Sequence, residues 1–288
     1  MKKVLALFAL ISILVLAACG GGNNNNSANN AGNNDAGNND GNAEEVTIKV
    51  GASSVPHAEI LEEAAPILAE EGITLEIEPY EDYVLPNDDL ASGDLDANYF
   101  QHIPYLEQTI EDTGYELTHI GGIHIEPIAA YSKTIDSIDN IKDGTEVVLS
   151  NSVADHGRVL QLFEANDLIT IKDGVEEGKA ELDDIEDNPK NLTFSPDYEP
   201  AFLPEIYESE EDVLVVINTN YAIGAGLDPV NDSIFREGDD SPYVNVLAVQ
   251  EGNEEDEALN KLLEVLRSEE IQDFMVENYD GAVVPVSE

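Results

Sequence analysis

The sequence predicts an α/β protein of two lobes with a ligand cleft between them. Residues 46–51 alternate apolar and polar side chains, which is the period of a half-buried strand, and residues 73–78 alternate again. Between these segments, residues 58–71 place their apolar side chains on one face of a helix, which ends at Gly72. The two strands of such a βαβ unit run parallel, so we expect a parallel start to the first sheet.

The same order of strands and helices continues to residue 131. Residues 90–100 indicate a helix end, a turn and a short buried strand, and residues 103–113 indicate a helix opened by a proline. Residues 117–131 are mostly apolar and extended. We assign residues 46–131 to lobe 1, together with residues 243–288, which supply a returning strand and closing helices.

A second lobe is predicted for residues 132–242. Residues 146–150 and 212–218 are apolar runs typical of buried strands, and residues 158–166 indicate a helix. Ligands of such architectures bind between the lobes, at the carboxyl ends of strands. Side chains at strand ends and at the lobe junctions are therefore the candidates for a binding site.

Residues 1–18 have the features of a secretory signal. Two lysines precede an apolar run that is shorter than the roughly 20 residues of a membrane-spanning helix. The run ends in Leu-Ala-Ala-Cys, which resembles the bacterial lipobox, whose cysteine is lipidated and begins the mature protein. Cys19 is the only cysteine, so a disulfide within the chain is excluded. An ordinary signal peptide with an incidental cysteine is the alternative.

Residues 19–45 are predicted to be the lipidated cysteine followed by a disordered tether. Residues 20–45 are rich in Asn and Gly and contain no large apolar side chain, so they cannot offset the entropy of ordering. A flexible segment of this length reaches roughly 28 Å. We expect a protein held at the cell membrane by lipid alone, on its extracellular side.

The chain is strongly acidic, with 61 Asp and Glu against 12 Lys and Arg, and a formal charge of −49. This balance argues against nucleic acid as a partner, because binding it needs a basic surface. It also argues against docking on anionic lipid headgroups. The acids are spread along the folded part, which is typical of a solvated acidic surface.

The sequence carries no motif for catalysis. None of the five histidines forms an HExxH pair, and neither a GxSxG nor a P-loop occurs. We therefore predict that the protein is not an enzyme and has no catalytic residue, cofactor or metal. A distributed zinc site formed by His57, His102 and His124 with a carboxylate is the alternative that the histidines leave open.

The stretch NSVADHGR, residues 151–158, contains one of the three arginines of the chain. If a helix begins near Asp155, its free amides, its dipole and the Arg158 guanidinium form a receptor for a carboxylate. Two other interpretations stay open at this point. Arg158 could pair with one of the many acids, and Asp155 could be the N-cap of the helix.

Two further clusters are candidates for the cleft. The aromatic residues Tyr83, Phe100 and Tyr105 lie near His102 in a folded part without tryptophan, where they form either core or the wall for an apolar ligand tail. The polar cluster lies at the lobe junctions and at a strand end, and comprises Glu126, Asn218 and Asn245. Asparagine at a strand end is also a common turn residue.

The chain resembles the methionine-binding lipoproteins, which are solute receptors of bacterial methionine ABC importers. The matching segments are EDYVLPND, LDANYFQHIPYLEQ, GGIHIEPIAAYS, SNSVADHGR, EDNPKNL, VVINTNYA and DSPYVN, in family order from about Gly51 to the carboxyl end. The segments SNSVADHGR and HIEPI are most similar to the Gram-positive branch. Other members have Asn at the position of Asp155 and Tyr at that of Glu126.

The resemblance implies a two-lobed, periplasmic-binding-protein-like (type II) fold and a role for each candidate. Arg158 would clamp the ligand carboxylate, Asn218 and Asn245 would hold the amino-acid backbone, and Asp155 or Glu126 would accept from the ammonium. The side-chain pocket would be lined by Tyr83, Phe100, His102 and Tyr105.

The same resemblance implies the ligand and the partners. The ligand would be L-methionine or a close derivative, and another small amino acid or a methionine-containing dipeptide is the alternative. The partners would be an ABC importer permease and its ATPase, and the receptor itself would be a monomer.

Overall fold

The computed structural model describes residues 46–176 and 178–286, all of which lie in one compact unit of the chain. The predicted signal peptide, Cys19 and the tether lie outside the described residues. Within these ranges, no helix is long and apolar enough to cross a membrane.

The strands and helices follow one another as an α/β chain. The strands are β1 (Val46–Ser53), β2 (Ile73–Tyr80), β3 (Ala97–His102), β4 (Leu117–Ile125), β5 (Ala129–Tyr131), β6 (Glu146–Ser150), β7 (Thr170–Ile171), β8 (Ile185–Asp187), β9 (Thr193–Tyr198), β10 (Leu214–Ile217), β11 (Phe235–Arg236), β12 (Val244–Gln250) and β13 (Val284–Pro285). The helices are α1 (Glu59–Glu70), α2 (Leu85–Ser92), α3 (Ile103–Thr113), α4 (Val153–Ala165), α5 (Leu203–Ser209), α6 (Thr219–Gly224), α7 (Glu257–Leu266) and α8 (Glu269–Tyr279).

Lobe 1 is built on a six-stranded sheet in the order β13-β4-β12-β3-β1-β2. β1 pairs in parallel with β2 and β3, as the βαβ pattern predicts, whereas β12 runs antiparallel to β3 and β4. Leu61 and Leu68 of α1 pack with Leu262 of α7 and Met275 of α8 in one core cluster. Each such buried side chain contributes about 1.5–3 kcal/mol.

Local sequence signals explain where several helices of lobe 1 begin and end. The Asp256 side chain accepts from the first backbone N–H groups of α7, and Ser268 does the same for α8. Gly93 and Gly114 follow α2 and α3 in the left-handed conformation that glycine adopts without cost. The left-handed turn at Gly93 leads into β3, which begins at Ala97.

Lobe 2 is built on a five-stranded sheet in the order β11-β5-β10-β6-β9. β6 pairs in parallel with β10 and β9, while β5 is antiparallel to β10. Leu160 and Phe163 of α4 pack against Val147, Leu149 and Leu214 in the core of this lobe. The chain thus crosses from the first sheet to the second after β4 and returns before β12.

The first crossing lies earlier than the sequence suggested. β5 pairs with β10 and β11, so residues 129–131 belong to the second sheet and not to lobe 1, for which the sequence pattern predicts them. The crossing is therefore the connection between Ile125 and Ala129, which contains Glu126. The helix predicted for residues 158–166 also begins earlier, at Val153, with Ser152 as its N-cap.

A glycine in the second turn of α4 permits a close approach of the chain. A Cβ atom on Gly157 would lie 2.1 Å from the carbonyl oxygen of Gly178, whose own φ is +73°. A methyl group cannot occupy that distance, so any side chain at 157 must displace the backbone at 178. Gly157 therefore lets α4 pack closely against the segment that contains Gly178.

We expect Gly157→Ala to lower the free energy of unfolding by about 1–3 kcal/mol, as overpacking of a tight site does. By helix propensity alone, replacing glycine with alanine would stabilise a helix by about 1 kcal/mol. A loss of stability would therefore have to come from the packing. Gly224→Ala is the matched control, because nothing lies within 4 Å of a Cβ atom there. Urea denaturation measures both variants, and a more stable Gly157→Ala protein would contradict the packing argument.

Candidate functional site

All nine residues predicted for the cleft come together around one narrow cavity between the lobes, of about 20 Å³. Both lobes contribute to its walls, and Glu126 enters from the connection between them. The lining residues are Tyr83, Phe100, Gln101, His102, Tyr105, Glu126, Asp155, Arg158, Asn218, Thr219, Asn220 and Asn245.

Arg158 is a buried cation, only 3% exposed, in the second turn of α4. Its Nη2 atom donates to Oε2 of Glu237 at 2.5 Å and to the backbone carbonyl of Glu126 at 3.0 Å. Burial acts to lower the pKa of Arg158, but the charges of Glu237 and Asp155 outweigh it and raise the pKa. The arginine is therefore ionised and held from two sides.

Asp155 is a buried anion and is not the cap of α4. It lies in the first helical turn, and its Oδ1 is 3.1 Å from Nε2 of His102 while its Oδ2 accepts from Nδ2 of Asn218 at 3.1 Å. Burial opposes the ionised form, yet the hydrogen bond from His102 and the charge of Arg158 lower the pKa of Asp155 to about 2. Asp155 thus links lobe 1 to lobe 2 through a charge-assisted contact.

Two buried polar atoms of the cavity walls have no hydrogen-bond partner among the described residues. One is Nε of Arg158, a donor on a cation, and the other is Oδ1 of Asn218, an acceptor. Leaving such groups unsatisfied costs about 1–3 kcal/mol each. Arg158 and Asn218 both line the cavity, so its walls hold one unpaired donor and one unpaired acceptor.

The aromatic residues form one side of the cavity and also join the lobes. The ring of Tyr83 lies 5.8 Å from those of Phe100 and Tyr105 and 5.0 Å from that of Tyr221, measured between centroids. Its hydroxyl donates to Oδ1 of Asn220 across the cleft at 2.6 Å. This is a half-polar wall, suited to an apolar group of modest length.

The histidines are arranged differently from the predicted zinc alternative. His57 and His124 lie with Glu126, and one ligand atom from each of these three residues falls within 4.8 Å of the others. His102 is not part of that group, because its ring bonds Asp155 and accepts from the backbone N–H of Tyr105. A zinc site in this region would therefore be formed by His57, His124 and Glu126, without His102.

Glu126 holds the centre of this histidine group. Its Oε1 lies 2.8 Å from Nε2 of His124 and 3.2 Å from Nε2 of His57, and its Oε2 accepts from the backbone N–H of Asn220 at 3.1 Å. Burial lowers the pKa of His57 to about 4 and that of His124 to about 3. Both rings are therefore neutral at pH 7. Burial also raises the pKa of Glu126, and the hydrogen bond from the backbone N–H of Asn220 acts in the opposite direction.

Sequence reasoning missed Glu237, Gln101, Thr219 and Asn220. Thr219 and Asn220 begin α6 directly after Asn218. Their position at the end of β10 could have identified them in the same way as Asn218. Glu237 could not be singled out, because it is one of 61 acidic residues and its partner Arg158 is 79 positions away.

Comparison with known proteins gives the family. A family model described as NlpA lipoprotein matches residues 48–287. The chain belongs to the NlpA lipoprotein family. The resemblance and the two-lobed, periplasmic-binding-protein-like fold predicted from the sequence are thereby confirmed.

The NlpA lipoproteins similar to this chain include proteins named for methionine. It is 44% identical to the methionine-binding lipoprotein MetQ of Bacillus subtilis (strain 168) over 291 residues, covering 100% of each. A pheromone cOB1 precursor/lipoprotein of Enterococcus faecalis V583 shares 46% identity with a TM-score of 0.81, covering 83% of this chain and 100% of that one. A nutrient binding protein of Burkholderia cenocepacia bound to methionine shares 35% identity with a TM-score of 0.78, covering 83% and 99%.

The neutral histidines predict a pH dependence of stability. Unfolded histidine has a pKa of about 6.5, so between pH 6.5 and 4 the unfolded chain binds protons that buried His57 and His124 do not. The free energy of unfolding therefore falls as the pH falls through this window. We expect His124→Gln to lower the melting temperature at pH 7.5 and to flatten its decline between pH 7.5 and 5.

Differential scanning calorimetry across that range measures the effect. His119→Gln is the matched control, since His119 is on the same strand but exposed, and its melting curve should follow that of the wild type. Wild-type and His124→Gln melting temperatures that decline in parallel would contradict the assignment of a neutral buried ring.

Proposed function

We propose that the protein is an extracytoplasmic receptor that captures L-methionine or a close derivative. The observation that carries the proposal is the pair of unpartnered atoms in one cavity, Nε of Arg158 and Oδ1 of Asn218. A carboxylate satisfies the first and an ammonium satisfies the second. An α-amino acid presents both groups on one carbon atom.

The charges of the cavity support a zwitterionic ligand. Arg158 supplies a donor fork for a carboxylate, and ionised Asp155 lies beside Asn218, where it adds attraction for an ammonium. A carboxylate buried without such a partner would cost several kcal/mol. Because Arg158 and Asp155 are buried, these local contacts outweigh the repulsion of the acidic surface, which water and salt screen.

The aromatic wall supports an apolar, sulfur-containing tail. Tyr83, Phe100 and Tyr105 line the cavity together. A thioether gains about 0.3–1.5 kcal/mol from contact with an aromatic ring, so these side chains favour methionine over an aliphatic chain of equal length. The names of the B. subtilis and B. cenocepacia relatives support the same ligand.

The family supports a role in import. We infer that Cys19 is lipidated, that residues 20–45 tether the folded part to the outer face of the cell membrane, and that the receptor acts as a monomer. It would deliver its ligand to an ABC importer permease driven by an ATPase. A receptor of this kind binds without turnover, in accord with the lack of a catalytic motif in the sequence.

Calorimetric titration with L-methionine tests the ligand and the clamp together. We expect saturable binding by the wild type, a loss of about 2–5 kcal/mol in Arg158→Ala, and partial recovery in Arg158→Lys, which keeps the charge without the planar fork. Phe100→Ala should weaken the binding of methionine more than it weakens the binding of alanine. Arg236→Ala is the control, because Arg236 does not line the cavity and pairs with Asp239.

Melting temperatures measured on the same samples show whether each variant is folded. No heat with any amino acid, after unfolding and refolding to remove bound ligand, would contradict the proposed function. Methionine affinity of wild-type strength in Arg158→Ala would contradict the clamp alone.

The lipid anchor is tested by Cys19→Ala in the full-length precursor. We expect the wild type to sediment with membranes and the variant to be released or left uncleaved, since removal of the thiol removes the acyl chains that hold the protein. Ser27→Ala, in the tether, is the control and should sediment like the wild type. Equal membrane association and equal mass of the Cys19→Ala and wild-type proteins would rule out lipidation at this position.

A further inference from the structure

A buried chain of hydrogen bonds joins residues that do not line the cavity, Tyr99, His124 and His57, to residues of its wall. Tyr99 of β3 contacts Nδ1 of His124 through its hydroxyl at 2.5 Å, and Nε2 of His124 contacts Glu126 at 2.8 Å. Nε2 of His57, in the turn before α1, lies 3.2 Å from both Glu126 and Oδ1 of Asn245. The chain therefore ends on two residues of the cavity wall, Glu126 and Asn245.

The partners of each ring determine where its proton lies. Both atoms next to Nε2 of His57 are acceptors, so this nitrogen carries the proton and donates it. Nε2 of His124 faces only the Glu126 carboxylate and also donates, which leaves Nδ1 to accept from the Tyr99 hydroxyl. The two rings are 1% and 0% exposed, so these bonds are shielded from bulk water.

This arrangement orients the amide of Asn245. With Oδ1 of Asn245 occupied by His57, the group that this side chain can offer to the cavity is the Nδ2 donor. If the ring of His57 were absent, the amide could rotate and present its oxygen instead, which would repel a ligand carboxylate.

The same carboxylate that joins the histidines also reaches the second lobe. Oε2 of Glu126 accepts from the backbone N–H of Asn220, whose side chain in turn accepts from Tyr83. The neutral imidazoles thus fix one oxygen of Glu126 in lobe 1, and the other oxygen fixes the start of α6 in lobe 2. Loss of either ring would loosen the wall on both sides of the cleft.

We propose that His57 and His124 are positioning residues for the ligand, acting through Asn245 and Glu126 and touching no ligand atom themselves. The inference rests on the proposed function, because it assigns these rings to the same site. The rival is a zinc ion bound by His57, His124 and Glu126. Zinc would take the lone pair of each Nε2 atom and so abolish the donations on which the proposed chain depends.

A double-mutant cycle measured by calorimetry with L-methionine tests the positioning role. We expect His57→Leu to weaken binding about tenfold, the effect of one lost hydrogen bond, and His57→Gln to stay within about threefold because its amide keeps a donor. In an Asn245→Ala background, His57→Leu should have almost no further effect, since the amide it orients is gone. His119→Leu is the control on the exposed side of β4.

Nitrogen-15 NMR of the imidazoles at pH 7 provides the second measurement and needs no ligand. We expect two neutral rings protonated at Nε2, and Tyr99→Phe should shift the Nδ1 signal of His124 without unfolding the protein. One equivalent of zinc, bound by the wild type and lost in His57→Leu, would overturn the proposal in favour of the metal.

The outcomes separate the two proposals. A wild type that binds no amino acid contradicts the proposed function, and the positioning role with it. Methionine binding by the wild type, with an equal loss for His57→Leu in both backgrounds, contradicts the positioning role alone. The positioning role is supported if His57→Gln keeps methionine affinity near that of the wild type and His57→Leu does not change the affinity of the Asn245→Ala variant.

Discussion

The burial of one guanidinium between two lobes is the constraint on which the rest of the site depends. An ion that leaves water without a partner costs several kcal/mol, so Arg158 requires acids close to it. Glu237 and Asp155 meet that need from different elements, and the carbonyl of Glu126 adds a third contact. The positions of α4, of the first crossing and of the segment after β11 are thereby fixed relative to one another.

The acidic residues of this chain fall into two groups, exposed and buried, with different roles. The exposed ones keep a highly charged protein dispersed in water, and each of them contributes little to the fold. The acids at the cleft are defined by their partners: Asp155 by His102 and Asn218, and Glu126 by two neutral imidazoles. Burial causes this difference, because the oxygen atoms of a buried carboxylate need hydrogen-bond partners within the protein, whereas those of an exposed one bind water.

Periodicity made the strands and helices of lobe 1 predictable, because alternation in residues 46–51 and 73–78 has one physical meaning when a helical stripe separates them. Asn218 was predictable as a cleft residue because it ends an apolar strand. β5 was not, since a three-residue strand of Ala, Ala and Tyr shows no period and is defined only by its pairing with β10 and β11. The start of α4 was placed too late because its buried apolar residues begin only at Val159, and most of the helical residues before them are polar or glycine.

The contacts across the cleft have a consequence for kinetics. The Tyr83 hydroxyl bonds Asn220, and His102 bonds Asp155, so the two lobes are joined directly on either side of a cavity of about 20 Å³. These bonds must separate for the lobes to part. If release of a ligand requires the lobes to part, ligands of different polarity share that step, and their residence times reflect the lobe contacts as much as their own.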